Sequence, residues 1–173
     1  MSIKIVTDSA CDVPPDIAAD LGITVVPVYV NIGEESYLEG VELTREEFYR
    51  NLPTYDPYPT TAAPAAGTFA EVYERLTAKG ATHILSMHLA SSLSATYNTA
   101  RLGAEAADSA PVTLFDTEQI TIGAGLLVLT AAEAAAAGRS LNEIVGMLNE
   151  RVGRTRVFGM LDTLDSLRRG GRV

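Results

Sequence analysis

Short apolar runs and longer stretches of helical period take turns along this chain. Ile3 to Thr7 is the first such run, predicted as a strand and closed by Thr7-Asp8-Ser9. Pro14-Pro15-Asp16 starts a helix that Leu21-Gly22 stops. Ile23 to Ile32 follows as one β-branched strand, which Pro27 restricts to an edge or an irregular course. Thr44-Arg45-Glu46-Glu47 has the form of a capping box for a short helix ending near Leu52. From Pro53 to Pro64, four prolines and two tyrosines mark the longest irregular stretch. It either links two parts or holds groups such as Thr60 and Thr61 on a stiff loop.

The alternation continues beyond it. Phe69, Val72, Tyr73 and Leu76 recur at helical spacing within a helix over 68–79 that Gly80 ends. Ile84 to Leu89 is a buried strand. It runs into Ser91, Ser92 and Ser94, each able to cap the helix that follows. Val112 to Phe115 is another strand, closed by Asp116-Thr117. A long Ala-rich helix over 119–137 follows and stops at Gly138. Ser140-Leu141-Asn142-Glu143 is a second capping box, for a helix to about Val152. Val157 to Leu161 reads as a further strand closed by Asp162-Thr163, and Leu164 to Arg169 as helical. Strands alternating with helices imply an α/β fold with a parallel sheet covered by helices on both faces. In such folds ligands bind beyond the carboxyl ends of the strands. Four predicted strands end in small polar groups, at Asp8, His88, Asp116 and Asp162, which would share one edge of the sheet.

Composition narrows the partners. Thirteen basic against 22 acidic residues leave a net charge of −9, which repels phosphate backbones and argues against nucleic acid. One cysteine and two histidines cannot build a disulfide framework or a Cys/His zinc site. Asp8 interrupts the apolar N-terminal run, so it does not read as a signal peptide, and a cytoplasmic location is expected. The most apolar long segment, Ile120 to Gly138, carries Thr121, Thr130 and Glu133, and suits a core helix better than a membrane span. Within it, Gly123-Ala124-Gly125 reads as close packing.

The candidate chemistry centres on the serine-rich stretch. Three serines and a threonine between Ser91 and Thr96 exceed what one cap needs, and a helix start lined with hydroxyls suits an anion. Gly-x-Ser-x-Gly, Ser-x-x-Lys, Gly-x-x-x-x-Gly-Lys and Gly-x-Gly-x-x-Gly are all missing. His88 is the nearest base in sequence to Ser94, with no acidic residue evident to orient it. Asp8 follows a first strand as a phosphotransfer aspartate would, but Ala10 stands where a second aspartate is usual; Asp8 is equally explained as a turn cap. Asp116 and Asp162 are either metal ligands or caps. Hydroxyl donors without a base favour holding a carboxylate or phosphate over breaking a bond.

Five ordered segments then carry a resemblance. Lys4 to Ser9, Val26 to Val30, Pro59-Thr60-Thr61-Ala62-Ala63-Pro64, Ser91 to Tyr97 and Gly170-Gly171-Arg172-Val173 come in the order and spacing of the DegV family. The chain resembles that family along its whole length. The resemblance implies a parallel-sheet N-terminal lobe over residues 1–173, without catalysis of its own and needing no cofactor or metal. It implies binding of a long-chain fatty acid and, in many bacteria, its presentation to a separate fatty-acid kinase for acyl-phosphate formation. The family's carboxylate-holding threonine and serine correspond to Thr61 and Ser94. Ala62 and Ala63 replace the usual Ser-Gln, and Ala95 the usual Gly, which limits positive φ at that turn. Similar proteins continue into a second lobe that covers the acyl chain. Its absence here implies a fragment or truncated product with an uncovered apolar face, open to dimerisation. The competing expectations are a small hydrolase or phosphotransferase using Ser94 or Asp8, and a structural fragment that binds nothing by itself.

Overall fold

In the computed structural model, which describes residues 2–171, the strands are β1 (Ile3–Asp8), β2 (Thr24–Val26), β3 (Tyr29–Ile32), β4 (Glu35–Leu38), β5 (Thr60–Ala62), β6 (His83–His88) and β7 (Val112–Asp116). The helices are α1 (Pro15–Asp20), α2 (Arg45–Asn51), α3 (Ala66–Ala78), α4 (Thr96–Ala106), α5 (Thr121–Ala136), α6 (Leu141–Val152) and α7 (Asp165–Arg169). A four-stranded parallel sheet runs in the order β2-β1-β6-β7. Alternate side chains of its strands go to opposite faces. Ile5, Leu85, Met87 and Phe115 pack with Leu127, Val128 and Ala131 of α5 and with Ile144 and Leu148 of α6. Val6 and Ile84 pack with Phe69, Val72, Tyr73 and Leu76 of α3 and with Ala100 of α4. Helices cover both faces, so β6 is buried on both sides from Ile84 to His88.

Close helix contacts depend on residues without a Cβ. A Cβ at Gly103 would sit 2.6 Å from the Ala66 carbonyl oxygen, where α4 crosses α3. One at Gly125 would collide with the Cys11 carbonyl oxygen, and one at Gly123 with Val157. The Gly-Ala-Gly step in α5 is therefore close packing, as its sequence suggests.

Four expectations change. The single strand over 23–32 is two strands in two sheets, because Pro27 has no N–H to continue the ladder. Part of the proline-rich stretch is strand: β5 joins β3 and β4 in a three-stranded antiparallel sheet of order β4-β3-β5. The segment over 157–161 is not a strand; it is irregular, with Phe158 91% and Met160 97% exposed. Asp162 and Thr163 therefore close no strand, and three polar strand ends share the sheet edge rather than four. The serines do not cap α4 directly. Its N-cap is Ala95, and Ser94 Oγ instead accepts the Thr96 N–H at 3.2 Å from the turn before the helix. The Ser140 capping box is complete, with hydroxyl and carboxylate bonding reciprocally. At α2 the Thr44 hydroxyl accepts the Glu47 N–H. Gly170 lies at the end of α7; Arg172 and Val173, the last part of the fifth motif, lie outside the described residues.

Candidate ligand-binding site

The carboxyl end of the parallel sheet holds a buried polar chain. Asp8 ends β1, and His88 ends the neighbouring β6; both are fully buried. His88 Nδ1 lies 2.9 Å from Asp8 Oδ2, and His88 Nε2 lies 2.8 Å from Ser86 Oγ. Ser86 and His88 are two residues apart on a strand, so they share a face. Ser86 Oγ meets the Tyr73 hydroxyl at 2.8 Å, and Phe69 packs edge-on to the imidazole at 5.1 Å. Burial pushes the Tyr73 phenol up to about 12, against the hydrogen bond from Ser86. Asp8 Oδ1 accepts the Ala10 N–H at 3.1 Å and the Cys11 thiol at 3.7 Å, and Oδ2 accepts the Leu89 N–H at 3.2 Å. Burial, and then the Asp8 charge, push the Cys11 thiol up, so it stays protonated.

The order Ser86, His88, Asp8 is that of a hydrolytic triad, but Ser86 has no exposed surface to meet a substrate. His88 does not serve Ser94. Its two nitrogens are committed to Asp8 and Ser86, which corrects the expectation that it lacks an orienting acid. Asp8 accepts four donors and is sealed, so its carboxylate has no path to a phosphoryl group in this conformation. Asp116 is a cap: its carboxylate accepts the N–H groups of Ser91 and Glu118. Among the described residues no cluster of three or more His, Cys, Asp or Glu is placed to hold a metal.

The loop from Leu89 to Ala95 leaves this chain and carries Ser94. Thr117 donates its N–H and hydroxyl to the His88 carbonyl at 3.1 and 2.7 Å. Ala90 N–H donates to the Gln119 carbonyl at 2.8 Å, and Leu93 N–H to Ala90. Ser94 is half-buried, its hydroxyl 2.9 Å from that of Thr96. Ala95 has φ −73°, so this turn does not use the positive φ that a glycine would supply.

Thr61 is on β5. It pairs with Val30 across the antiparallel ladder, so the two side chains share a face. Both line a cleft of about 300 Å³ with Leu43, Phe48, Ile120 and Thr121. Thr121, the first residue of α5, holds φ 53°, a left-handed value rare for a β-branched residue. Arg45 lines the same cleft, ion-paired to Asp12 and to Glu39 at 3.4 Å, and donates to the Ser9 carbonyl. A larger cleft of about 560 Å³ shares Asp12, Glu39 and Arg45 with that cleft and is lined also by Pro14 and Pro15 at the start of α1 and by Val41 and Thr44 before α2. Ser94 lines neither cleft. The two hydroxyls therefore belong to different elements: Thr61 to the small sheet, Ser94 to the loop after β6.

The buried polar chain is a finding of the tertiary structure, since it joins residues 80 apart in sequence. The Ser86-x-His88 spacing places two polar groups on one face of a buried strand, which was a usable signal. That Asp8 meets them depends on β1 pairing with β6.

Comparison with known proteins agrees with this architecture. The DegV family model matches residues 2–173. A DegV domain-containing protein of Caldanaerobacter subterraneus is 39% identical over 171 residues, 99% of this chain and 60% of its own length. The structure of a fatty acid binding DegV protein from Bacillus subtilis superposes with a TM-score of 0.94 at 34% identity, covering 99% of this chain and 61% of that one. A DegV family protein from Thermus thermophilus, described by its fatty acid binding, has a TM-score of 0.87 at 37% identity with the same coverage. The chain thus spans about 60% of the length of the curated relatives it matches.

Proposed function

The chain belongs to the DegV family, and from that premise we propose that it binds a long-chain fatty acid, with the hydroxyls of Thr61 and Ser94 holding the carboxylate. The observation that carries this reading is the cleft beside Thr61, whose walls include Val30, Leu43, Phe48 and Ile120. A few polar groups on an apolar cleft suit a ligand with a small head and a long tail. In this reading residues 1–173 are an N-terminal lobe, and a second lobe completes the acyl site. The protein then presents its fatty acid to a partner fatty-acid kinase in the cytoplasm and performs no bond-breaking itself. The sealed state of Ser86 and Asp8 supports the last point. No described helix is long and apolar enough to cross a membrane.

Denaturing mass spectrometry of the purified chain tests the class of ligand: a co-purified fatty acid supports it. Thr61→Ala and Ser94→Ala then test the site. A hydrogen bond to a charged group is worth about 1.5–3 kcal/mol, so each variant should bind roughly ten- to a hundred-fold more weakly. Wild-type affinity in both variants, with circular dichroism unchanged, rejects the assignment of the two residues.

A further inference from the structure

We infer that Asp8 and His88 are positioning residues for the loop that presents Ser94, an inference that rests on the reading of Ser94 as a ligand-binding hydroxyl. The Asp8 carboxylate is the junction of three segments. It fixes the turn after β1 through the Ala10 N–H, the start of the Ser94 loop through the Leu89 N–H, and the imidazole of His88. His88 is in turn clamped from the other side by Ser86 and through its own carbonyl by Thr117. All four of these side chains are fully buried. A charge taken wholly out of water is costly unless its lone pairs are met, and this carboxylate meets donors at both oxygens. Moving the Leu89 N–H away would strip one donor from a buried carboxylate, so the loop has one well-favoured conformation. Ser94 lies five residues beyond Leu89, and the intervening backbone is held at Ala90, Ser91 and Leu93. Its hydroxyl therefore stands in place before any ligand arrives, which lowers the ordering cost of binding.

Two substitutions at His88 separate positioning from packing. The amide of asparagine reaches the place of the imidazole Nδ1 and can still donate to Asp8. The amide of glutamine reaches the place of Nε2, keeps Ser86 and leaves Asp8 short of a donor. Both lose the ring contact with Phe69, and asparagine leaves the larger void, so a role in packing alone predicts that His88→Asn is no better than His88→Gln. The readouts are oleate affinity and the amide shifts of residues 89–96 in 15N spectra of the full chain. His88→Gln should weaken oleate binding by about tenfold and shift the loop amides; His88→Asn should restore most of both. His88→Asn no better than His88→Gln, with Ser94→Ala still weakened, overturns the positioning role and leaves the Ser94 reading standing. Wild-type affinity in Ser94→Ala removes that reading, and the amide shifts alone then decide: smaller shifts in the Asn than in the Gln variant keep the positioning role, equal or larger ones overturn it. If His88→Gln does not fold, Asp8→Asn against Ser86→Ala makes the same comparison. Loop shifts confined to Asp8→Asn support the inference, and matching shifts in both reject it.

Discussion

Two stretches of this chain look alike as sequence and end in opposite states. Ile84-Leu85-Ser86-Met87-His88 and Val157-Phe158-Gly159-Met160-Leu161 are both five residues long, built around three or four large apolar side chains and followed within a few residues by small polar groups. The first is the central part of β6, flanked by β1 and β7, with every residue buried. The second is irregular, and its large side chains face outward. An apolar run becomes a strand only where neighbours accept its backbone N–H and C=O groups and cover its side chains. β6 has a strand on each side and a helix layer on each face. Residues 157–161 belong to no sheet; Val157 lies against Gly123 of α5, while Phe158 and Met160 stay exposed. The contrast also separates two kinds of polar group. Ser86 and His88 are tolerated inside β6 because each is bonded on both sides, and Asp8 closes the chain.

The largest expected effect lies in the buried stretch. Leu85→Ala should lower unfolding free energy by about 2–5 kcal/mol, as loss of a buried leucine leaves a cavity between α5 and the sheet. Urea denaturation measures it; a loss below about 1 kcal/mol would mean that β6 is not the centre of the core.

A middle-sized effect belongs to α6, which packs over the same face of the sheet. Ser140→Ala should cost about 1 kcal/mol by removing an N-cap. The Ser140 hydroxyl, with its backbone N–H, also holds the exposed Glu143 carboxylate below its ordinary value of 4.5. A carboxylate depressed in the folded state stabilises above its unfolded pKa, and that contribution is lost as pH falls through the folded value. The gap between wild type and Ser140→Ala should therefore narrow below about pH 4.5. A gap that widens in acid contradicts the box.

The smallest stability effect is expected in the exposed stretch. Phe158→Ser with Met160→Ser should change unfolding free energy by no more than about 0.5 kcal/mol. The same pair should reduce binding of a hydrophobic dye and any self-association seen by sedimentation, because it removes exposed apolar surface. A destabilisation of the size expected at Leu85 would show that residues 157–161 are covered after all, and would end the contrast.

Local chemistry was enough to place most elements. Hydrophobic period, glycine stops and the Ser140 box depend on residues within a turn or two of each other, so helices α3, α5 and α6 and strands β1, β6 and β7 were legible within a few residues. The two hydroxyls proposed to hold a carboxylate came from ordered motifs, which identify residues without giving their neighbours. Tertiary structure decided the rest. Whether Pro27 merely interrupts a strand or sends the chain into a second sheet depends on Val28 and Ser9 meeting, 19 residues apart. Whether Thr60–Ala62 is loop or strand depends on the free edge of β3. Asp8 and His88 lie 80 residues apart, and their bond exists only because β1 and β6 pair in parallel register. The apolar content of 157–161 was plain in the sequence, but burial is a relation between distant segments, and no local pattern states whether a partner is there.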